Sequence, residues 1–219
     1  TSGTDNVAVG TLALDANTTG SDNTAIGDNA LGANTTANYN TAVGSASLDA
    51  NTTGVNNTAV GFASLGANST GADNVAVGYG ALDANLASSN VAIGSGAMLV
   101  NTTGATNTAV GYLALDANTT ASNNVAVGSG SLGSNTTGAN NVAVGSGALD
   151  ANTTASNNVG VGKDAIGDNT TGASNTAIGH NALTANTTAN NNVAVGYQTM
   201  LANTTGTDNV AVGSNALDA

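Results

Sequence analysis

Cysteine and proline are absent from this 219-residue chain, aromatic residues make up 2% of it, and charged residues only 6%. Without cysteine there are no disulfides and no thiolate zinc sites, and the redox compartment leaves no trace in the sequence. Cationic charge is almost missing: Lys163 stands alone against thirteen acids, all Asp, for a net charge of -12. That balance excludes a nucleic-acid partner, which needs a basic surface to displace phosphate counterions. No apolar run approaches the roughly 20 residues that cross a bilayer, so no membrane span is expected in this segment. The chain opens Thr-Ser-Gly with neither an initiator Met nor a signal segment, and is expected to be a mature product or a piece of something longer. Few charges, many glycines and no proline would suit a disordered linker. Yet 40% of the residues are hydrophobic and regularly placed, which argues for burial and a folded chain.

What the sequence does contain is one unit, repeated from end to end. Glycine recurs at Gly10, Gly27, Gly44, Gly61, Gly78, Gly94, Gly111, Gly128, Gly145, Gly162, Gly179, Gly196 and Gly213, every 17 residues except for one step of 16 between Gly78 and Gly94. The unit reads Asn-(Thr/Val)-Ala-(Val/Ile)-Gly, two variable residues, Ala-Leu-x-Ala-Asn-Thr-Thr-(Gly/Ala), and two more variable residues. It fills residues 1–219 as a single repeat domain, with no linker and no second domain.

Before each glycine, Val or Ile alternates with a small residue, Ala in every copy but Gly160. Alternation of this kind is the period of a short strand with one buried face. Four residues after the glycine stands Leu, Ile or Met, as in Leu14, Leu31, Met98, Ile166 and Leu217. With the Val/Ile side taken as buried, each coil offers about three sizeable core residues. Hairpins are disfavoured because no Asn-Gly, Asp-Gly or Gly-Gly pair occurs. Helix is disfavoured by the repeated Gly and the abundance of Thr, Asn and Val. The expected fold is therefore all-β: a parallel β-solenoid of about thirteen 17-residue coils, spaced about 4.8 Å apart in a rod on the order of 60 Å long.

Stacked coils turn each column into a ladder of like residues. One Asn column lies four before the glycine (Asn6, Asn23, Asn40, Asn57, Asn74 and onward) and a second lies seven after it (Asn17, Asn34, Asn51 and onward). Side-chain amides suit such ladders because each both donates and accepts. Carboxylates do not, and five residues after the glycine Asp15, Asp49 and Asp83 alternate with Gly32 and Gly66, keeping like charges apart. A coil this small has a thin core, so association with further chains is expected to add apolar burial. At the termini, a Gly213-to-Gly10 junction would repeat the tolerated spacing of 16, so end-to-end stacking into a filament is also expected.

The segments Asn6 to Gly10 (Asn-Val-Ala-Val-Gly) and Asn23 to Gly27 (Asn-Thr-Ala-Ile-Gly), followed by x-x-Ala-Leu-x-Ala-Asn, resemble the head repeats of trimeric autotransporter adhesins, the YadA-type head, and related repeats of phage tail fibres. The resemblance covers the whole chain. It implies a left-handed parallel β-roll, a homotrimer of chains side by side, and a fibre on a cell or virion surface that binds matrix, cells or host surfaces. The period here is longer than in those heads, because the Ala-Asn-Thr-Thr-Gly stretch adds residues to each turn.

Few residues carry chemistry. Gly128, Gly130 and Gly133 match a dinucleotide-binding string, but that string needs a strand before it and a helix after it, and here it is one frame of a repeat. Lys163 and His180 occupy the variable position after the glycine, without a second His or a triad partner, so no catalytic residue is assigned and the chain reads as no enzyme. No cofactor is expected. Isolated calcium sites, where a trimer axis gathers Asp or Asn oxygens, are the one metal reading left. Asn-Thr-Thr or Asn-Ser-Thr occurs eleven times and fits a glycosylation acceptor, but an Asn ladder followed by Thr at a turn accounts for its regularity. Phe62, Tyr79, Tyr112, His180 and Tyr197 are the candidate exposed recognition positions. The functional expectation is the structural repeat region of an extracellular fibre, giving reach, rigidity and multivalent attachment to a surface or matrix ligand. The alternative is an ice-binding solenoid using repeated Thr pairs such as Thr18 and Thr19.

Overall fold

The structure is a computed structural model describing residues 2–218. It contains thirteen strands of three residues each, one per repeat, lying immediately before the repeat glycines. The described chain groups into two compact units, one ending at Asn107 and one beginning at Thr108. In the first, β1 (Val7–Val9), β2 (Thr24–Ile26), β3 (Thr41–Val43), β4 (Thr58–Val60), β5 (Val75–Val77) and β6 (Val91–Ile93) pair in parallel, each with the next. The second contains β7 (Thr108–Val110), β8 (Val125–Val127), β9 (Val142–Val144), β10 (Val159–Val161), β11 (Thr176–Ile178), β12 (Val193–Val195) and β13 (Val210–Val212), again paired in parallel with their neighbours. Within each unit the register does not slip between the described pairs: Ala25 faces Ala42, and Ala126 faces Ala143. The chain is thus a parallel β-solenoid of stacked coils, as the repeat implies.

Pairing is not confined to the strands. In the first unit the Leu31 N–H donates to the Ser47 carbonyl at 3.0 Å, Ala33 to Asp49 at 2.9 Å, and Thr52 to Ser69 at 3.0 Å. Each coil is therefore bonded to the next along several of its sides, which satisfies backbone groups that a three-residue strand alone would leave open.

Which side of the strand faces in is the reverse of the sequence expectation. From β2 to β13 the middle residue is buried, while the Val, Ile or Thr on either side of it is half-buried or exposed. Period-2 geometry puts that central Ala on the same face as the buried Asn two residues before it. The inward space is too narrow for anything larger. Even a Cβ at Gly160 would lie 3.1 Å from the Ala165 carbonyl oxygen and 3.3 Å from Leu149 Cγ.

The interior is filled instead from the opposite wall. Leu31, Leu48, Leu65, Leu82, Met98 and their equivalents up to Met200 are buried, joined by Ala, Ser or Thr at the preceding position and by the two Asn columns. The end-coil equivalents differ from the expectation, with Leu14 half-buried and Leu217 62% exposed, because no described coil stacks beyond them to cover them. Each coil thus contributes one large apolar side chain to the core, not three. To aim it inward, the backbone there adopts the left-handed region, with φ of 50° at Leu31, 54° at Leu82 and 52° at Ile166. At Ile166 this is an unusual setting, because a branched Cβ crowds the backbone at positive φ.

The short coil between Gly78 and Gly94 keeps its strand pairing, Val75 facing Val91, but breaks one ladder. Asn85 Nδ2 turns to the Ala87 carbonyl at 2.7 Å, and the buried Asn68 Oδ1 is left without a partner. The column resumes at once, with Asn101 Nδ2 donating to Asn85 Oδ1 at 2.7 Å.

Two sets of substitutions test this assignment by chemical denaturation. Leu82→Asp is expected to lose at least about 4 kcal/mol and Ala76→Val about 1–3 kcal/mol, while Val77→Asp, on the outer face, leaves the secondary structure unchanged. Ile166→Leu should stabilise by roughly 1 kcal/mol by relieving the branched side chain. Inserting one Thr after Leu86 restores the regular coil and is expected to stabilise by about 1–3 kcal/mol, because Asn68 Oδ1 regains a donor. Equal losses from Val77→Asp and Leu82→Asp would overturn the inside-out assignment.

Candidate functional site

The two Asn columns are interior struts. In the first, Oδ1 accepts the backbone N–H of the next Asn in the column: Asn23 onto Asn6 at 3.0 Å, Asn40 onto Asn23 at 3.0 Å, Asn57 onto Asn40 at 2.9 Å and Asn74 onto Asn57 at 3.0 Å. Their Nδ2 groups donate to small residues across the coil, as from Asn57 to the Gly71 carbonyl at 2.8 Å. In the second column the side-chain amides bond each other, Asn34 to Asn17 and Asn51 to Asn34 both at 3.2 Å. Asn51 Nδ2 also reaches the Gly54 carbonyl at 3.0 Å, closing the turn that follows. These second-column residues are the acceptors of all eleven Asn-Thr-Thr or Asn-Ser-Thr sequons. Asn34, Asn51, Asn68, Asn135 and Asn152 are fully buried, so a folded coil offers their amides to no glycosylating enzyme.

The Thr pairs divide between two roles. In most pairs the first hydroxyl bonds the neighbouring coil, Thr18 Oγ1 to the Thr35 carbonyl at 2.9 Å and Thr136 Oγ1 to Thr153 at 3.0 Å. The second, as at Thr36, Thr53, Thr137 and Thr154, is exposed.

All five candidate recognition residues stand on the surface column that follows the glycine. Phe62, Tyr79, Tyr112 and Tyr197 are exposed large hydrophobic side chains, and His180 is exposed as well. Register stacking brings two pairs together: Phe62 on Tyr79 with ring centroids 5.5 Å apart, and His180 on Tyr197 at 5.6 Å. Lys163 shares the column and pairs with Asp164 at 2.7 Å, both side chains reaching solvent. The Gly128, Gly130 and Gly133 string follows a strand but leads into turn, not helix. Among the described residues no three His, Cys, Asp or Glu side chains gather into a group that could hold a metal, and no helix is long and apolar enough to cross a membrane.

The alternating Asp and Gly column has a steric reason as well as an electrostatic one. A Cβ at Gly66 would meet Asp83 Oδ1 at 2.5 Å, and one at Gly32 would meet Asp49 Oδ1 at 2.9 Å. Asp49 and Asp83 thus fold over the glycine of the coil before them, whereas Asp116 Oδ1 and Asp150 Oδ1 lie 3.5 Å and 3.7 Å from the Cβ positions of Gly133 and Gly167 on the coil after them. That partial burial raises the pKa of Asp83 and Asp116, in Asp116 against the opposing pull of backbone hydrogen bonds. Burial also raises Asp150, with Asp164 and Asp168 adding repulsion.

The feature that sequence reasoning did not find is the outer face of the sheet. Ile26 is 40% exposed, Ile93 41% and Ile178 43%, each in line with the outward Val residues of the neighbouring strands. Its signal was present. A position that admits nothing larger than Ala in any copy suits a confined space, a signal that the preference for burying Val and Ile outweighed.

Because the native pKa values of Asp83, Asp116 and Asp150 are raised, folding binds extra protons. The resulting stability is full below the unfolded Asp pKa of about 3.9 and is lost as pH rises through the native values. Urea midpoints are therefore expected to fall as pH rises from about 4 towards neutrality. The triple variant Asp83→Asn, Asp116→Asn, Asp150→Asn should flatten that slope, and an unchanged slope would contradict the assignment.

Comparison of the chain with protein-family profiles, with curated proteins and with solved structures yields no match in any of the three.

Proposed function

We propose that this chain is a structural repeat region of an extracellular fibre, in which copies of the chain pack side by side through the outward Val/Ile face of the sheet. The observation that carries the reading is that each coil turns its branched apolar side chains out and its alanine in. Interiors normally take Val and Ile before Ala. A regular apolar face on successive coils is the kind of surface that marks an interaction site.

The occupant that fits best is a second copy. Elsewhere the surface carries the Asp residues of a chain with net charge -12 and one cation, so most approaches between copies are repulsive. The strands hold only Val, Thr, Ile, Ala and Gly, so the sheet face is where two copies meet without opposing carboxylates. Association also supplies the apolar burial that one large core residue per coil does not. Three copies around a common axis, as the adhesin-like repeats imply, would turn this face towards its neighbours. Reach and rigidity then follow from stacked coils, and a recurring surface column offers multivalent attachment.

Sedimentation and native mass measurement over a concentration series test the reading. The wild-type chain is expected to be oligomeric, with three copies as the expected number, and the double variant Ile26→Lys, Val60→Lys to be monomeric with an unchanged circular dichroism spectrum. A stable wild-type monomer at every concentration would overturn it. If that monomer also shaped ice crystals, the exposed second threonines at Thr36, Thr53, Thr137 and Thr154 would carry the ice-binding alternative instead.

A further inference from the structure

The column after the repeat glycine changes character within the second unit, where it runs Tyr112, Ser129, Ser146, Lys163, His180 and Tyr197 on successive coils. Its register is held by the backbone. The Gly130 N–H donates to the Tyr112 carbonyl at 3.0 Å, Gly147 to Ser129 at 3.1 Å, Asp164 to Ser146 at 3.0 Å and Asn181 to Lys163 at 3.0 Å. His180 and Tyr197 cover one another. Tyr112, 60% exposed, is followed by two serines instead.

Beside those serines, at the next position of the same corner, stand Gly130 and Gly147, and a Cβ built at Gly130 would meet nothing within 4 Å. The Asp164 carboxylate leans over Gly147 and holds Lys163 Nζ at 2.7 Å. Two coils of small residues therefore separate an aromatic side chain from an ion pair three coil steps, roughly 14 Å, along the stack. The floor of this notch is two exposed serine hydroxyls and glycine backbone.

We propose that the notch binds a short run of neutral pyranose units of a surface polysaccharide, with the first on Tyr112 and a later one beside Lys163 and Asp164. This rests on the fibre reading only for where such a ligand would be met. A pyranose presents an apolar C–H face and a rim of hydroxyls that both donate and accept. An aromatic wall with a few placed polar groups is the usual complement of such a ligand. Here Tyr112 supplies the wall, Ser129 and Ser146 donate and accept, Asp164 accepts and Lys163 donates. Acidic sugars are disfavoured, because the chain carries -12 and its one cation is already paired.

Neutral tetrasaccharides of glucose, mannose and galactose, titrated into the full chain and followed by saturation-transfer NMR, test the assignment. At least one is expected to give a saturable response. Tyr112→Ala should weaken it at least about tenfold. Ser129→Tyr should do the same by covering Tyr112 as Tyr79 covers Phe62, while Tyr79→Ala leaves it unchanged. No saturable response at about 10 mM, or binding that survives Ser129→Tyr, overturns the proposal. The Ile26→Lys, Val60→Lys chain keeps the notch intact, so sugar binding by a wild-type chain that never oligomerises would sink the assembly and leave the notch standing.

Discussion

Consecutive coils lie so close that their glycines leave no space for a side chain. At Gly44 a Cβ would fall 2.5 Å from the Gly61 carbonyl oxygen, and the backbone there holds φ at 136°. Only glycine tolerates both the contact and the angle. The close approach lets every side of the coil bond its neighbour, and it makes the interior a slot whose contents are set column by column. Alanine lines one wall, a single Leu, Met or Ile projects from the other, and asparagine braces both ends. A larger residue on the alanine wall would have to part the coils, so the apolar branched residues of the strand have nowhere to go but out.

The same spacing explains a period of two coils superimposed on the basic repeat. Asp83 folds over Gly66, and Asp49 over Gly32, in space that a side chain on the preceding coil would fill. A second alternation runs along the residue six before the glycine. There Ala72 N–H donates to Ser88 Oγ at 3.0 Å, Ala139 to Ser156 Oγ at 3.0 Å and Ala173 to Asn190 Oδ1 at 2.7 Å. A polar side chain on one coil accepts the backbone amide that its predecessor presents, the predecessor being alanine in these three pairs and Thr4 or Ser21 near the N-terminus. Neighbouring coils are thus complementary as well as alike, and charge separation in the Asp column is one consequence of that pairing.

Turning the branched residues outward moves the centre of interest from the inside of the coil to its surface. The chain acquires an uncharged apolar face at the strands and a variable, solvent-facing column just past each glycine. The first is uniform from coil to coil, which suits contact between identical copies. The second differs from coil to coil, which suits recognition of something else. A division of this kind lets a fibre keep its scaffold constant while its attachment positions vary.

The sequence by itself determined the coil, its length, the parallel register, the two Asn ladders and the place of the one irregular turn. All of these are properties of a column, and a column is legible wherever a residue recurs at a fixed spacing. It also marked Leu31 and its equivalents as core, and Phe62, Tyr79, Tyr112, His180 and Tyr197 as surface, since invariance and variability separate them. Which face of the strand points inward was not decided there. Alternation states that Val and Ala face opposite ways, and hydrophobicity then favours burying Val. Only the tertiary structure showed that the slot beside the strand is already occupied by the Leu from the far wall, leaving room for a methyl group and no more. The steric limit of a 17-residue coil outranked the preference for burying the larger apolar side chain.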